Sequence, residues 1–321
     1  MTFARSITLA IAASLLAVTC LAQPYPSKPI RLLVPFGPGG VGDITSRAVM
    51  QKVSENVGQQ IIIDNRPSAG GIVATETVAK SDPDGYTLYL MNNTNAVSAA
   101  MFKKLPYDTI RDFEMVTTIG GFSIVVLVAP ESPVKTVKEL IAQSKASNGK
   151  FNIGSINIGT TQFLSAELLK SMGSLDATSV PFNNTAGVLT ALRGGSVQVA
   201  MEFLPPVLGQ IRANTLRAVA VTSLARSPML PNVPTLHESG LAGYEVNSWN
   251  GIAVAAKTPK AIVERLNKEI HAAVNSPLIT QRFQELGVSQ NLSTPDGMRK
   301  VLVDDIAKWN ALIDKAKIQR Q

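Results

Sequence analysis

Twice along this chain a short apolar run leads into a glycine-studded turn and then into a stretch with helical periodicity. The first turn is Val34-Pro-Phe-Gly-Pro-Gly-Gly-Val-Gly-Asp43 and the second Gly154-Ser-Ile-Asn-Ile-Gly-Thr-Thr161. A strand that turns tightly into a helix leaves the first backbone N–H groups of the helix without acceptors, where the helix dipole also favours negative charge. Each turn is therefore a ready-made anion site, and two of them suggest two lobes gripping one anionic ligand.

Apolar β-type runs at 30–34, 60–64, 87–91, 124–129, 151–155, 179–182, 197–201, 216–221 and 252–256 alternate with helix-length segments. Their nearly continuous hydrophobicity points to strands buried on both faces, as in parallel sheets covered by helices. The segment 43–57 places Ile44, Ala48, Val49 and Val53 on one helical face, and 136–147, 161–172 and 259–274 are similar, with Asp43 and Thr136 as N-caps. The predicted class is α/β. With 45% hydrophobic residues in 321, two cores are expected rather than one. The recurring strand–turn–helix unit predicts two similar lobes, with the chain crossing near 124–129 and 244–253. Residues 23–124 and 247–321 are expected to form a discontinuous first domain, 125–246 a second, and the ligand cleft to lie between them.

Residues 1–22 carry one charge, Arg5, then an apolar run over 7–18 and small residues, with Cys20 and Ala22 where a signal peptidase reads. This is the pattern of a secretory signal peptide cleaved before Gln23. A membrane anchor fits less well, because spanning takes about 20 apolar residues. A lipoprotein reading through Cys20 meets Thr19 where Gly, Ala or Ser belongs. Cys20 is the only cysteine, so the mature chain has no disulfide, thiol nucleophile or cysteine metal site. The net charge of +7 contains no basic run and is accompanied by only 5% aromatic residues. It suits small anions, not nucleic acid.

The first turn has a rival reading. Gly37-Pro-Gly-Gly-Val-Gly42 satisfies G-x-G-x-x-G between a strand and a helix, and Asp64 ends the next strand roughly 20 residues on, which is the dinucleotide fingerprint of an NAD-binding oxidoreductase. Pro35 and Pro38 remove two N–H groups from the stretch that would approach a pyrophosphate, export takes the chain away from nicotinamide pools, and no acid–base pair suggests hydride chemistry. A P-loop fails because no Lys-Ser or Lys-Thr follows Gly42. His237, in a proline-rich stretch, and His271, in a charged helix, read as surface or packing residues. No H-E-x-x-H, G-x-S-x-G or paired-carboxylate motif is present. Binding without catalysis, cofactor or metal is expected.

Several motifs in order, the Val34 to Asp43 turn, Asp64-Asn-Arg-Pro-Ser-Ala-Gly-Gly71, Pro83-Asp-Gly-Tyr-Thr-Leu88, Leu105-Pro-Tyr-Asp108 and Asp112-Phe113, resemble those of the Bug family. So do Val180-Pro-Phe182, Gly194-Gly195 and Pro234-Thr-Leu-His-Glu-Ser-Gly-Leu-Ala-Gly-Tyr-Glu245. These are the extracytoplasmic solute-binding receptors of tripartite tricarboxylate transporters, and the resemblance covers essentially the whole mature chain. It implies a monomeric periplasmic protein of Venus-flytrap fold, type II-like, with two lobes that are each a mostly parallel sheet flanked by helices. It also implies no enzymatic activity and a small organic carboxylate held by both glycine turns, often through water. The receptor would deliver its ligand to membrane subunits of the transporter, or present its closed form to a sensor protein.

Carried onto this chain, the resemblance makes Phe36 a pocket wall and has Gly39, Gly40 and Val41 offering backbone N–H groups. Asp43 would repel a carboxylate, so its expected role is to cap the first helix and fix the turn. In the second turn Ser155, Thr160 and Thr161 can donate hydrogen bonds and Gly159 allows close approach, with N-capping by Thr160 the simpler alternative. There the chain departs from the family pattern: Asn157 stands in place of a glycine and Phe163 in place of a histidine, which eases entry of a less polar or aromatic acid. Asn92, Asn93 and Thr94, and Asn183, Asn184 and Thr185, follow strand ends where ligands sit in α/β folds. Glu202 either faces the cleft and accepts a ligand ammonium or hydroxyl, or is solvated and has no role.

Overall fold

The computed structural model describes residues 25–321, so the predicted signal peptide lies outside the described residues. The chain begins β1 (Ile30–Val34), α1 (Val41–Val57), β2 (Ile61–Asn65), a single 3-10 turn at Ala69–Gly71, α2 (Ile72–Ala79), β3 (Thr87–Asn92) and α3 (Asn93–Met101). A long β4 (Phe113–Val128) follows, then α4 (Val137–Ala146), β5 (Phe151–Ile156), α5 (Thr161–Gly173), β6 (Ala177–Phe182), α6 (Thr185–Arg193), β7 (Val199–Phe203), α7 (Leu204–Arg212) and β8 (Arg217–Val221). The chain closes with β9 (Asn247–Ala255), α8 (Lys260–Val274), α9 (Pro277–Leu286), β10 (Ser289–Gln290) and α10 (Pro295–Lys315). No helix among the described residues is long and apolar enough to cross a membrane.

Two parallel trios form the sheets, β2-β1-β3 and β7-β5-β6, as continuous apolar strands flanked by helices should. Leu32, Leu33 and Val34 of β1 are fully buried, as are Val49, Met50 and Val53 on the inner face of α1. Each such side chain contributes about 1.5–3 kcal/mol on burial. Thr136 caps α4 as predicted, in a capping box with Glu139. A smaller apolar cluster, including Val188, Leu192 and Val207, lies under α6 and α7 on the second sheet.

The strands joining the trios are antiparallel, which the prediction of mostly parallel sheets did not include. Phe113 to Ser123 of β4 pair with β9, and Ile124 to Val128 pair with β7 and β8, so β4 leaves one sheet and enters the other between Ser123 and Ile124. The apolar pattern predicted only the second half of β4. Its first half carries Thr117, Thr118, Gly120 and Gly121 and contains two register shifts; pairing with β9 and β10 keeps it extended.

Candidate ligand-binding site

The first turn is built by its own carboxylate. Asp43 Oδ2 accepts the Gly39 N–H at 3.0 Å, and Arg47 Nε donates to Asp43 Oδ1 at 2.9 Å. Asn65 Nδ2 ties the turn to β2 by donating to the Phe36 carbonyl at 3.0 Å. Burial alone would raise the Asp43 carboxyl, but the bonds from Arg47 and Gly39 outweigh it and hold the group below the ordinary carboxylate range. Two expectations are corrected here. The N-cap of α1 is Gly40, in extended conformation, so the helix starts before Asp43, which sits in its first turn. The Gly39 N–H, expected to be open to a ligand, is bound to Asp43; the N–H groups of Val41 and Gly42, in the first turn, have no intrahelical acceptor.

The second turn is placed differently from the first. Thr160 is the N-cap of α5, accepting from Phe163 N–H, and its hydroxyl donates to the Ile156 carbonyl at 3.2 Å. Ser155 is buried and donates to the same carbonyl, while the Asn157 N–H donates to the Phe182 carbonyl. Gly159 has φ +80°, and a Cβ there would lie 2.3 Å from Phe102 Cε2 and 3.1 Å from Gly70 Cα. The Gly70 N–H donates to the Ile158 carbonyl at 2.8 Å, and Ser98 Oγ donates to the Gly159 carbonyl at 3.1 Å. This turn is therefore packed against α3 and the 3-10 turn. Thr161 Oγ1 donates to Asn93 Oδ1, which also accepts from Trp309 Nε1, while Asn93 Nδ2 donates to Asp305 at 2.7 Å. Asn93 thus joins three helices from a buried position, and Phe163 is in the core.

Where the first turn meets the carboxyl ends of β5 and β7, a cavity is lined by Phe36, Gly40 and Val41, with Asn183 and Glu202 across from them. Gly37, Gly42, Ile156, Gln162, Asn184, Thr185 and Phe203 complete the lining. Of the predicted residues, Gly39, Asp43, Asn93, Ser155, Asn157, Gly159, Thr160, Thr161 and Phe163 lie outside this lining. Residues from the first turns of three helices, α1, α5 and α6, line the cavity, which brings three helix N-termini to it. Across the cavity the walls nearly touch: a Cβ on Gly37 would lie 3.0 Å from Asn184 Cβ. The free space is about 20 Å³, room for about one water.

Glu202 is 1% exposed. Burial pushes its carboxyl up, partly opposed by hydrogen bonds from the Phe203 N–H and Gln162. Gln162 escaped the sequence reading, although a polar side chain in the first turn of a helix that follows a glycine turn was a usable signal. His237 is exposed and accepts from the Gly243 N–H, and His271 packs on Thr117 and the Ser293 carbonyl, as the reading of both as surface or packing residues requires. Among the described residues no group of three acidic, His or Cys side chains could hold a metal.

Parallel trios bridged by antiparallel crossing strands, with a cavity of helix N-termini at the junction, define a two-lobed solute-binding protein. The chain belongs to the tripartite tricarboxylate transporter receptor family, whose model matches residues 45–318. It is similar to BugT of Bordetella pertussis, 31% identical over 305 residues and 94% of each chain. A protein from the tcbD-tcbE intergenic region of Pseudomonas sp. strain P51 is 32% identical over 290 residues, 90% of this chain and 86% of that one. Among solved structures, the periplasmic binding protein BugD matches with a TM-score of 0.89 at 28% identity, over 92% of this chain and all of that one. Rpa4515 of R. palustris, solved with adipate, matches with a TM-score of 0.88 at 31% identity over 92% and 99% of the two chains. MatC of Rhodopseudomonas palustris, with bound malate, gives 0.86 at 27% identity over 90% and 100%. The family is one of solute-binding receptors found in the periplasm.

Proposed function

We propose that this chain is exported by its residues 1–22 and works in the periplasm as a monomeric, non-catalytic receptor. In this reading it closes on a small carboxylate and delivers it to the membrane subunits of a tripartite transporter. The carrying observation is the convergence of three helix first turns, with the unpaired N–H groups of Val41 and Gly42, on one cavity. Adipate and malate in the structures of relatives support a carboxylate as the ligand. Admitting one requires the walls to part, and the lobes in this reading are 23–124 with 247–321, and 125–246. Bending where β4 changes sheets, beside the start of β9, opens the cleft, and the ligand favours closure through its greater affinity for the closed form.

Thermal unfolding of the mature chain with a library of mono-, di- and tricarboxylates tests this. A ligand at 100 times its dissociation constant adds about 2.7 kcal/mol of stability. A melting temperature that stays flat across the library refutes the reading, as does saturable binding of NAD or turnover of any acid.

A further inference from the structure

The cavity is chemically divided. On the wall formed by the first turn, Val41 and Gly42 supply backbone donors. On the opposite wall two side-chain oxygens, Gln162 Oε1 and Glu202 Oε2, are buried and have no hydrogen-bond partner among the described residues. Their side chains are 3% and 1% exposed. The pair holds itself in place: Gln162 Nε2 donates to Glu202 Oε1 at 3.2 Å, and the Phe203 N–H donates to the same oxygen at 2.8 Å. Flipping the amide would forfeit the bond to Glu202, so the orientation is set by the network. Each side chain thus spends one polar atom on the other and leaves one acceptor beside the cavity.

A buried acceptor without a donor is costly, and a buried carboxylate more so. A simple dicarboxylate brings only further acceptors, and places a second negative charge near Glu202. An ammonium group has three donors and the compensating charge. We propose that Glu202 and Gln162 form an ammonium subsite, so that the receptor selects small carboxylates carrying a protonated amine over the same acids without it. This rests on the carboxylate-receptor reading above and specifies its ligand class.

The test is calorimetric titration of the mature protein with matched acids: succinate, malate and aspartate; glutarate, 2-hydroxyglutarate and glutamate; butyrate and 4-aminobutyrate. In at least one series the amine-bearing acid is expected to bind tenfold or more tighter than its unsubstituted and hydroxylated counterparts, which is 1.4 kcal/mol at 25 °C. Glu202→Gln, which keeps the shape and removes the charge, should shrink that preference to within about threefold, and Gln162→Leu should reduce it by a smaller factor. Unsubstituted or hydroxy acids that bind as tightly as the amines overturn the proposal and leave the carboxylate reading standing. So does a preference that survives Glu202→Gln in a variant that melts cooperatively. If neither variant folds, the ranking in the wild-type protein decides alone. Failure of all these acids to bind overturns the ammonium subsite, and the library screen above then decides the carboxylate reading separately.

Discussion

Replacing Gly40 by valine should separate binding from folding. Gly40 has φ −76° and ψ 168°, a conformation valine adopts freely. A Cβ there meets only Thr185 Oγ1 at 3.7 Å and the Gly37 carbonyl at 3.8 Å, both ordinary contacts. The remaining cost is that of a poor N-cap residue, about 1 kcal/mol. The two added methyls should, however, crowd a cavity of about 20 Å³ lined by Val41 and Gly42, whose N–H groups are the proposed ligand donors. A hydrogen bond to a charged group contributes about 1.5–3 kcal/mol, so blocking one weakens binding at least tenfold and blocking two a hundredfold or more. Titration with the most stabilising acid from the thermal screen measures this, and circular dichroism checks the fold. Gly42→Ala is the contrasting control: its Cβ would lie 2.9 Å from Leu90 Cδ2 and 3.0 Å from Phe36 Cδ2. It should lower stability by about 1–3 kcal/mol through overpacking. Unchanged affinity in a folded Gly40→Val protein would place the anion site elsewhere.

Gly159→Ala forces a left-handed alanine against Phe102; a loss of at least about 2 kcal/mol is expected in urea unfolding, and an unchanged midpoint would show that the approach is not tight. Asp43 has a lowered carboxyl, so its contribution is fully present above the unfolded value of about 3.9 and is lost as pH falls through the folded value. Asp43→Asn should therefore cost about 1 kcal/mol at pH 7, with the gap to wild type closing in acid; a pH-independent gap contradicts this. Glu202 has the opposite sign. Its raised carboxyl disfavours folding as pH climbs above the unfolded value of about 4.3, so Glu202→Gln should gain on wild type in melting temperature between pH 5 and pH 8, and parallel curves would refute it.

The parts of the fold that local chemistry controls were legible. β1 and the body of α1 follow from apolar pattern, and the Thr136 cap from its side chain and Glu139 three residues on. The start of α1 was misjudged because Asp43 has the chemistry of a cap, yet reaches back to Gly39 from inside the first turn. The first half of β4 was missed because Thr117, Thr118, Gly120 and Gly121 have no strand pattern of their own, and only pairing with β9 and β10 keeps them extended.

The sequence by itself determined two glycine turns at helix starts, an α/β class, and the absence of catalytic motifs, because turn geometry, capping and hydrophobic period act over a few residues. Tertiary structure decided which face of each turn is free. The second turn looks as much like a cradle as the first, but Gly70, Ser98 and Phe102, distant in sequence, pack against it where Gly159 lacks a Cβ. Glu202 was ambiguous as a residue, and only folding buried it beside Gln162 in the lining of the same cavity as Val41, because those contacts join segments distant in sequence.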